Sequence, residues 1–221
     1  VLKAWGMDPL PGARLTVINP GPTAPYTGML PGYVAGHYRR NELEIDLVRL
    51  CRHAGARLIF DKAVDIDQVR HEVTLETRGP VAYDLASIDV GITARLDLSG
   101  FSEYGIGAKP LNLFYKRWDN FFEQVLQGQA AADIAVIGGG VAGCELAMAM
   151  AFALQSAGES PRVTVIESGP KISVVGNKAR RWILKAMSDL GIVVKTDAKI
   201  VEVTADQVLL DGQEPVDAVL C

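Results

Sequence analysis

No Cys-x-x-Cys pair occurs in this chain, and its three cysteines, Cys51, Cys144 and Cys221, stand far apart. A thioredoxin-like dithiol and a zinc ribbon both need closely spaced thiols, so neither is supported and no metal site is expected. Unpaired thiols fit a reducing compartment, which points to the cytoplasm. Long apolar runs are absent too. The longest, Leu146–Leu154, has nine residues, against about 20 for a spanning helix. No signal peptide shows at the start, and the first residue is Val1 rather than Met, which leaves room for residues upstream. Strong charge of one sign is also missing. With a net charge of −4 and basic residues scattered apart from pairs such as Arg39-Arg40 and Arg180-Arg181, nothing calls for a nucleic-acid partner. Those pairs read as solvated faces.

What is present is an ordinary globular composition, 49% apolar over 221 residues, enough for one large domain or two small ones. Arg14–Ile18 reads as a buried strand that stops at Asn19-Pro20. Residues 20–36 are dense in Gly and Pro and read as a long loop whose Tyr26, Met29, Leu30 and Tyr33 pack on something. Asn41 to His53 carries leucines at helical spacing, stopped by Gly55. Strands are expected at Arg57–Phe60, Ala63–Ile66, Glu72–Glu76 and, as a central apolar one, Leu85–Val90. Residues 98–112 read as a crossover. Phe114–Gln127 reads as an amphipathic helix with Trp118, Phe121, Phe122 and Val125 on its packed side. The second half alternates: strand Ile134–Ile137, helix Val141–Gln155, strand Arg162–Glu167, helix Lys178–Leu190, strand Ile192–Lys195, a hairpin of Ile200–Val203 with Gln207–Leu210, and a final apolar run, Ala218–Cys221. Strands and helices alternating at these lengths imply a parallel sheet.

The turn Gly138-Gly139-Gly140-Val141-Ala142-Gly143 is a dinucleotide fingerprint in its proper setting, between an apolar strand and an apolar helix. Gly138 permits the sharp turn out of the strand. Gly140 lets a pyrophosphate approach the backbone, and Gly143 lets the helix pack closely on the strand. Free N–H groups at the helix start and the helix dipole both favour an anion there. Glu167, 24 residues beyond Gly143, ends the next strand and is placed to accept hydrogen bonds from ribose hydroxyls. It would repel a 2′-phosphate, so NADH is preferred to NADPH. Arg162 lies at the other end of that strand and does not rescue NADPH. Glu145, in the first turn of the helix, either steadies the dipole or faces the nicotinamide end. Cys144 reads as a small buried hydrophobe. His37 reads as a loop residue and His53 as a helix-end residue, neither with a partner for acid–base work.

The string VIGGGVAGCELAMAMA resembles the NADH-binding domain of the pyridine nucleotide–disulfide oxidoreductase superfamily. Within it, the chain looks like the type II NADH dehydrogenase-like flavoproteins, and especially the flavoprotein module fused to selenide, water dikinase. TAPYTGMLPGYVAGHY at 23–38 and AKPLN at 108–112 carry the narrower likeness. The resemblance implies an α/β fold of two Rossmann-like three-layer domains, with the NAD domain inserted in the FAD domain. That places a partial FAD-binding domain at 1–97, an interdomain crossover and helix at 98–128, and an NAD(H)-binding domain at 129–221. It also implies hydride transfer from NADH to FAD and on to an acceptor such as a quinone. By the same resemblance Asn19, where the family has an acid, lies near the FAD adenosine ribose. Tyr26, Thr27, Gly28 and Met29 lie along the isoalloxazine, Lys62, Ala63 and Val64 pass the adenine, Gly91 belongs to a family turn, and Lys109 and Pro110 sit near the flavin. The family's own FAD-side glycine turn and its closing FAD segment are not in the sequence, so FAD is expected of the complete parent and NAD(H) of this chain. The implied partners are NADH, an electron acceptor, a selenide, water dikinase fused or associated, and a peripheral membrane contact of the complete protein. A non-catalytic, redox-sensing or regulatory NAD-binding module fits the same residues. An S-adenosylmethionine-dependent methyltransferase also uses a glycine turn and a following acid, but Gly143 and the hairpin at 200–210 speak against it.

Overall fold

The computed structural model describes residues 1–91, 97–173 and 176–220. The chain divides into two compact units, one formed by Val1–Tyr26 with Arg40–Gly91, the other by Thr27–Arg39 with Ile92–Cys221.

The first unit opens with helix α1 (Leu2–Met7), then strands β1 (Thr16–Asn19) and β2 (Thr23–Pro25). Helix α2 (Leu30–Val34) belongs to the second unit and interrupts it. The first unit resumes with β3 (Glu44–Asp46), α3 (Leu47–Ala54), β4 (Arg57–Phe60), β5 (Ala63–Asp67), β6 (Glu72–Leu75) and β7 (Val81–Ala82). β1 and β4 run parallel, with Asn19 opposite Phe60. β2 pairs antiparallel with β3, and β5-β6-β7 form an antiparallel sheet. The residues from Asn41 are not one helix. Arg40–Leu43 is a 3-10 turn, and α3 starts only at Leu47, where the Asp46 carboxylate accepts the Arg49 N–H at 2.8 Å. Asp46 at the cap supplies the acceptor that a helix starting earlier would lack, and Gly55 at φ +60° ends the helix as expected. The long loop at 20–36 likewise contains order: β2, a 3-10 turn at Thr27–Met29, and α2.

Leu85–Val90 is not a strand. Leu85, Ile88 and Val90 are 93%, 67% and 82% exposed. An apolar run becomes a central strand only where neighbours accept its N–H and C=O groups, and among the described residues β1 and β4 pair only with each other.

The second unit adds α4 (Phe101–Tyr104) and α5 (Leu111–Leu126), followed by β8 (Asp133–Ile137), α6 (Val141–Ser156), β9 (Arg162–Ile166), α7 (Asn177–Asp189) and β10 (Val193–Lys195). β10-β9-β8 form a parallel sheet, and Leu220 bridges in parallel to Ile134 on the free side of β8. The alternating strand and helix lengths thus produce the expected α/β layering. α6 buries eight residues, including Cys144, Ala147, Ala151 and Leu154. The aromatic side of α5 is core: Phe114, Tyr115, Trp118 and Phe121 are all buried. The hairpin β11 (Ile200–Val203) with β12 (Gln207–Leu210) is antiparallel as expected. It gains an unforeseen third strand, β13 (Gln213–Asp217). Pro215 disguised that strand in the sequence, and it is tolerated because β13 lies at the sheet edge.

Candidate functional site

The glycine turn joins β8 to α6 at the C-terminal end of the parallel strands, where α/β sheets bind ligands. Its glycines behave differently. Gly138 has φ +103°, a conformation closed to L side chains. A Cβ on Gly143 would stand 2.0 Å from the Gly138 carbonyl oxygen, so only glycine allows helix and turn to pack this closely. A Cβ on Gly140 would meet nothing within 4 Å. Gly140, at φ −74°, is thus the glycine of these three that neither backbone conformation nor packing requires. Gly140 is the N-cap of α6, and no side chain caps that helix start. The helix start is therefore left without a protein side chain over it, and its N–H groups and dipole favour negative charge at that place.

Glu167 is brought to this turn from the end of β9. Its Oε2 accepts the Gly139 N–H at 3.0 Å and the Ser173 hydroxyl at 3.3 Å, and its Oε1 accepts the Gly169 N–H at 2.9 Å and the Ser168 hydroxyl at 3.3 Å. The Gly169 N–H, against the opposing cost of burial, and then the Gly139 N–H and the two hydroxyls hold this carboxyl below its ordinary value. Glu167 therefore stays ionised, and it also ties the glycine turn to the loop after β9. Ser173 N–H closes the same contact on the Gly139 carbonyl at 2.8 Å, and buried Ile172 lies against Gly139. Ser168, Gly169 and Ser173 were not singled out from sequence. The Ser-Gly step directly after the acid was the one available signal, since such steps mark turns whose N–H groups point inward.

Arg162 is committed elsewhere. Its guanidinium Nε lies 2.6 Å from buried Asp133 across β8 and β9, with Asp217 at 3.6 Å. Glu145 is exposed on α6, and the first turn of α6 carries no acid. The dipole role expected for Glu145 is thereby weakened, because that effect fades beyond the first turn. Cys144 is fully buried with its thiol 3.7 Å from the Gly139 carbonyl. Burial, then the charges of Glu167 and Glu145, push its pKa up, so it is an inert hydrophobe. His37 is exposed with its ring centroid 5.5 Å from that of Phe152, and His53 lies against Gly6.

In the first unit, Asn19 ends β1 opposite Phe60, the last residue of β4, and Asp61 N–H donates to the Asn19 carbonyl at 3.2 Å. The Asn19 amide donates to the carbonyls of Gly21 and Thr23, at 2.7 and 3.2 Å, and so is engaged in its own loop. Lys62 faces Glu76 at 3.6 Å, and Ala63 and Val64 lie in β5. Asp61, missed from sequence, is a buried carboxylate. Burial alone would raise its pKa, but the Thr77 hydroxyl, the N–H groups of Lys62 and Thr77, and Arg78 hold it low. Tyr26 is half exposed, and Thr27, Gly28 and Met29 form the 3-10 turn of the second unit. Gly91 takes φ +68°. Lys109 and Pro110 share a cis peptide bond, and Pro110 is the N-cap of α5.

These two sites differ in their fit to a dinucleotide. The turn at Gly138–Gly143 with Glu167 supplies amide donors, an uncapped helix start and a ribose-side acid, so NAD(H) fits. In the first unit, the start of α3 is filled by the Asp46 carboxylate, and the described residues offer no glycine-rich helix start for the FAD diphosphate.

The model of one protein family, described as Pyridine nucleotide-disulphide oxidoreductase, matches residues 6–221. The chain belongs to that family. Its relatives include demethylphylloquinone reductase NdbB from a Synechocystis species, 32% identical over 172 residues, covering 72% of this chain and 41% of NdbB. Among solved structures, NDH2 of Plasmodium falciparum in complex with NADH superposes with a TM-score of 0.78 at 16% identity, over 94% of this chain and 49% of that one. The sulfide:quinone oxidoreductase of Aquifex aeolicus superposes with a TM-score of 0.80 at 19% identity, over 99% and 54%. At these identities the structural likenesses speak for the fold. The chain spans about half the length of the relatives it matches.

Proposed function

We propose that this chain is the nucleotide-binding part of an NADH-dependent flavoprotein oxidoreductase whose acceptor is a quinone. The observation that carries the reading is the open Gly140 beside the ionised Glu167. Backbone amides at the start of α6 grip a diphosphate, and Glu167 accepts from the adenosine ribose diol while its charge rejects a 2′-phosphate. The complete protein then holds two Rossmann-like domains, with Asn19, Lys62–Val64, Thr27–Met29 and Lys109-Pro110 turned toward FAD. Flavin in that protein would accept the hydride and hand electrons on. Support for a quinone comes from the relative NdbB, a demethylphylloquinone reductase. The narrower resemblance adds selenide, water dikinase as a fused or associated partner and a cytoplasmic, membrane-peripheral setting.

Calorimetry on the chain is expected to show NADH binding and markedly weaker NADPH binding. Equal affinity for the two, or none for NADH, removes the reading. In the complete protein under argon, NADH is expected to bleach the flavin's visible band. The alternative, a non-catalytic NAD-sensing module, predicts NADH binding with no turnover of quinone or dye.

A further inference from the structure

Helix α7 is unusual for a crossover helix of a parallel sheet, because of its 13 residues only Met187 is buried. Lys178, Arg181, Trp182 and Lys185 recur at i, i+3, i+4 and i+7, which places them on one face of the helix, and together they line one shallow surface cleft. Trp182 is 64% exposed at the middle of that face, although an indole ordinarily buries most of its area. The helix carries four cations, Lys178, Arg180, Arg181 and Lys185, against one acid, Asp189. That acid is engaged by the Lys185 ammonium at 2.7 Å. Among the described residues no acid is paired with Lys178 or Arg181. This positive face sits on a chain of net charge −4, so its charge is local and opposed to the whole.

We infer that this face of α7 docks on an anionic lipid surface. Three features select lipid over a protein partner. The face is the outside of a single helix, and a bilayer interface deforms around a protruding indole, whereas a protein partner needs a matching hollow. Tryptophan is the side chain whose apolar body and polar N–H suit the headgroup level. Lys and Arg stems lie along the interface while their charged ends reach the headgroup phosphates and carboxylates. Among the described residues no helix is long and apolar enough to cross a membrane, so the attachment is interfacial. The inference does not rest on the nucleotide reading.

Vesicle co-sedimentation of the full chain tests it, with phosphatidylcholine vesicles alone and with phosphatidylserine added. Binding is expected on the phosphatidylserine vesicles only, with release by salt and a blue shift of tryptophan emission. Lys178→Gln and Arg181→Gln are each expected to weaken binding about fivefold, and Trp182→Ala to abolish the blue shift. All three positions are exposed, so circular dichroism should match the unaltered chain. Equal binding to neutral vesicles, no binding, or variants that bind like the original chain overturns the proposal. Retention on heparin with none on vesicles would assign the face to a soluble polyanion instead and equally overturn it.

Discussion

Gly140 and Gly143 stand three residues apart in one turn, yet their substitution by alanine should have opposite consequences. Gly143→Ala drives a methyl onto the Gly138 carbonyl at 2.0 Å. Backbone on both sides cannot yield cheaply, so urea unfolding should show a loss of about 1–3 kcal/mol or more. Gly140→Ala meets no protein atom and has φ −74°, so stability should change by less than about 1 kcal/mol while NADH affinity falls at least tenfold by calorimetry. Stable Gly140→Ala protein with undiminished NADH affinity would show that the turn has no ligand. Glu167 has a double role, and a simple loss of binding in Glu167→Gln would be ambiguous. Its pH dependence separates the two. Because its folded pKa is lowered from 4.5, its contribution to stability is complete above that ordinary value. The contribution is lost as the pH falls below it and through the folded pKa. The acid limb of the stability profile should therefore flatten in Glu167→Gln, as followed by urea midpoints between neutral and acid pH.

Among the elements, those from β8 to β12 were legible because their period is local and strong. An apolar strand, a glycine turn and an apolar helix identify themselves without knowledge of neighbours. In the first unit β1, β4, β5 and β6 were legible as short β-rich runs, and the departures came where pairing or capping decided the outcome. Leu85–Val90 has the composition of a central strand but no strand beside it among the described residues, and Asn41–Leu43 has leucine spacing but lies ahead of the Asp46 cap. Two measurements belong at this scale. Asp46→Ala should destabilise the first unit by about 1 kcal/mol through loss of the α3 cap, read from denaturant unfolding. Brief chymotrypsin treatment should cut at exposed Leu85 before it cuts inside α5 or α6, with fragment masses as the readout. Resistance at Leu85 would mean that this run is covered in solution.

At the scale of the whole molecule, the two compact units differ in what they hold. The glycine turn and Glu167 lie entirely in the second unit. NADH should therefore raise the melting transition of that unit, by about 2.7 kcal/mol at a hundredfold excess over Kd, and leave the transition of the first unusually insensitive. Scanning calorimetry with and without NADH reads both. A uniform shift of a single transition would show that the units unfold as one. The segment Thr27–Arg39 illustrates why unit membership escapes a linear reading. It lies amid first-unit residues in sequence, but the Tyr33 hydroxyl donates to the Asp119 carboxylate on α5 at 2.6 Å, and its ring packs edge-on to Tyr115 at 4.9 Å.

The sequence by itself determined the parallel β8–α6–β9 unit, the place of its glycine turn, the acid that follows, and the buried state of Cys144. Each depends on the order of residues along a few turns of backbone, where sterics and periodicity act at short range. Tertiary structure alone decided that Gly140 faces open space while Gly143 is clasped, that Glu167 is held by Gly139, Gly169, Ser168 and Ser173, that Pro215 can sit in a strand, and that Leu85–Val90 finds no strand partner among the described residues. Those outcomes depend on which distant backbone groups arrive opposite one another, and hydrogen-bond partners brought from other strands leave no mark in the local pattern.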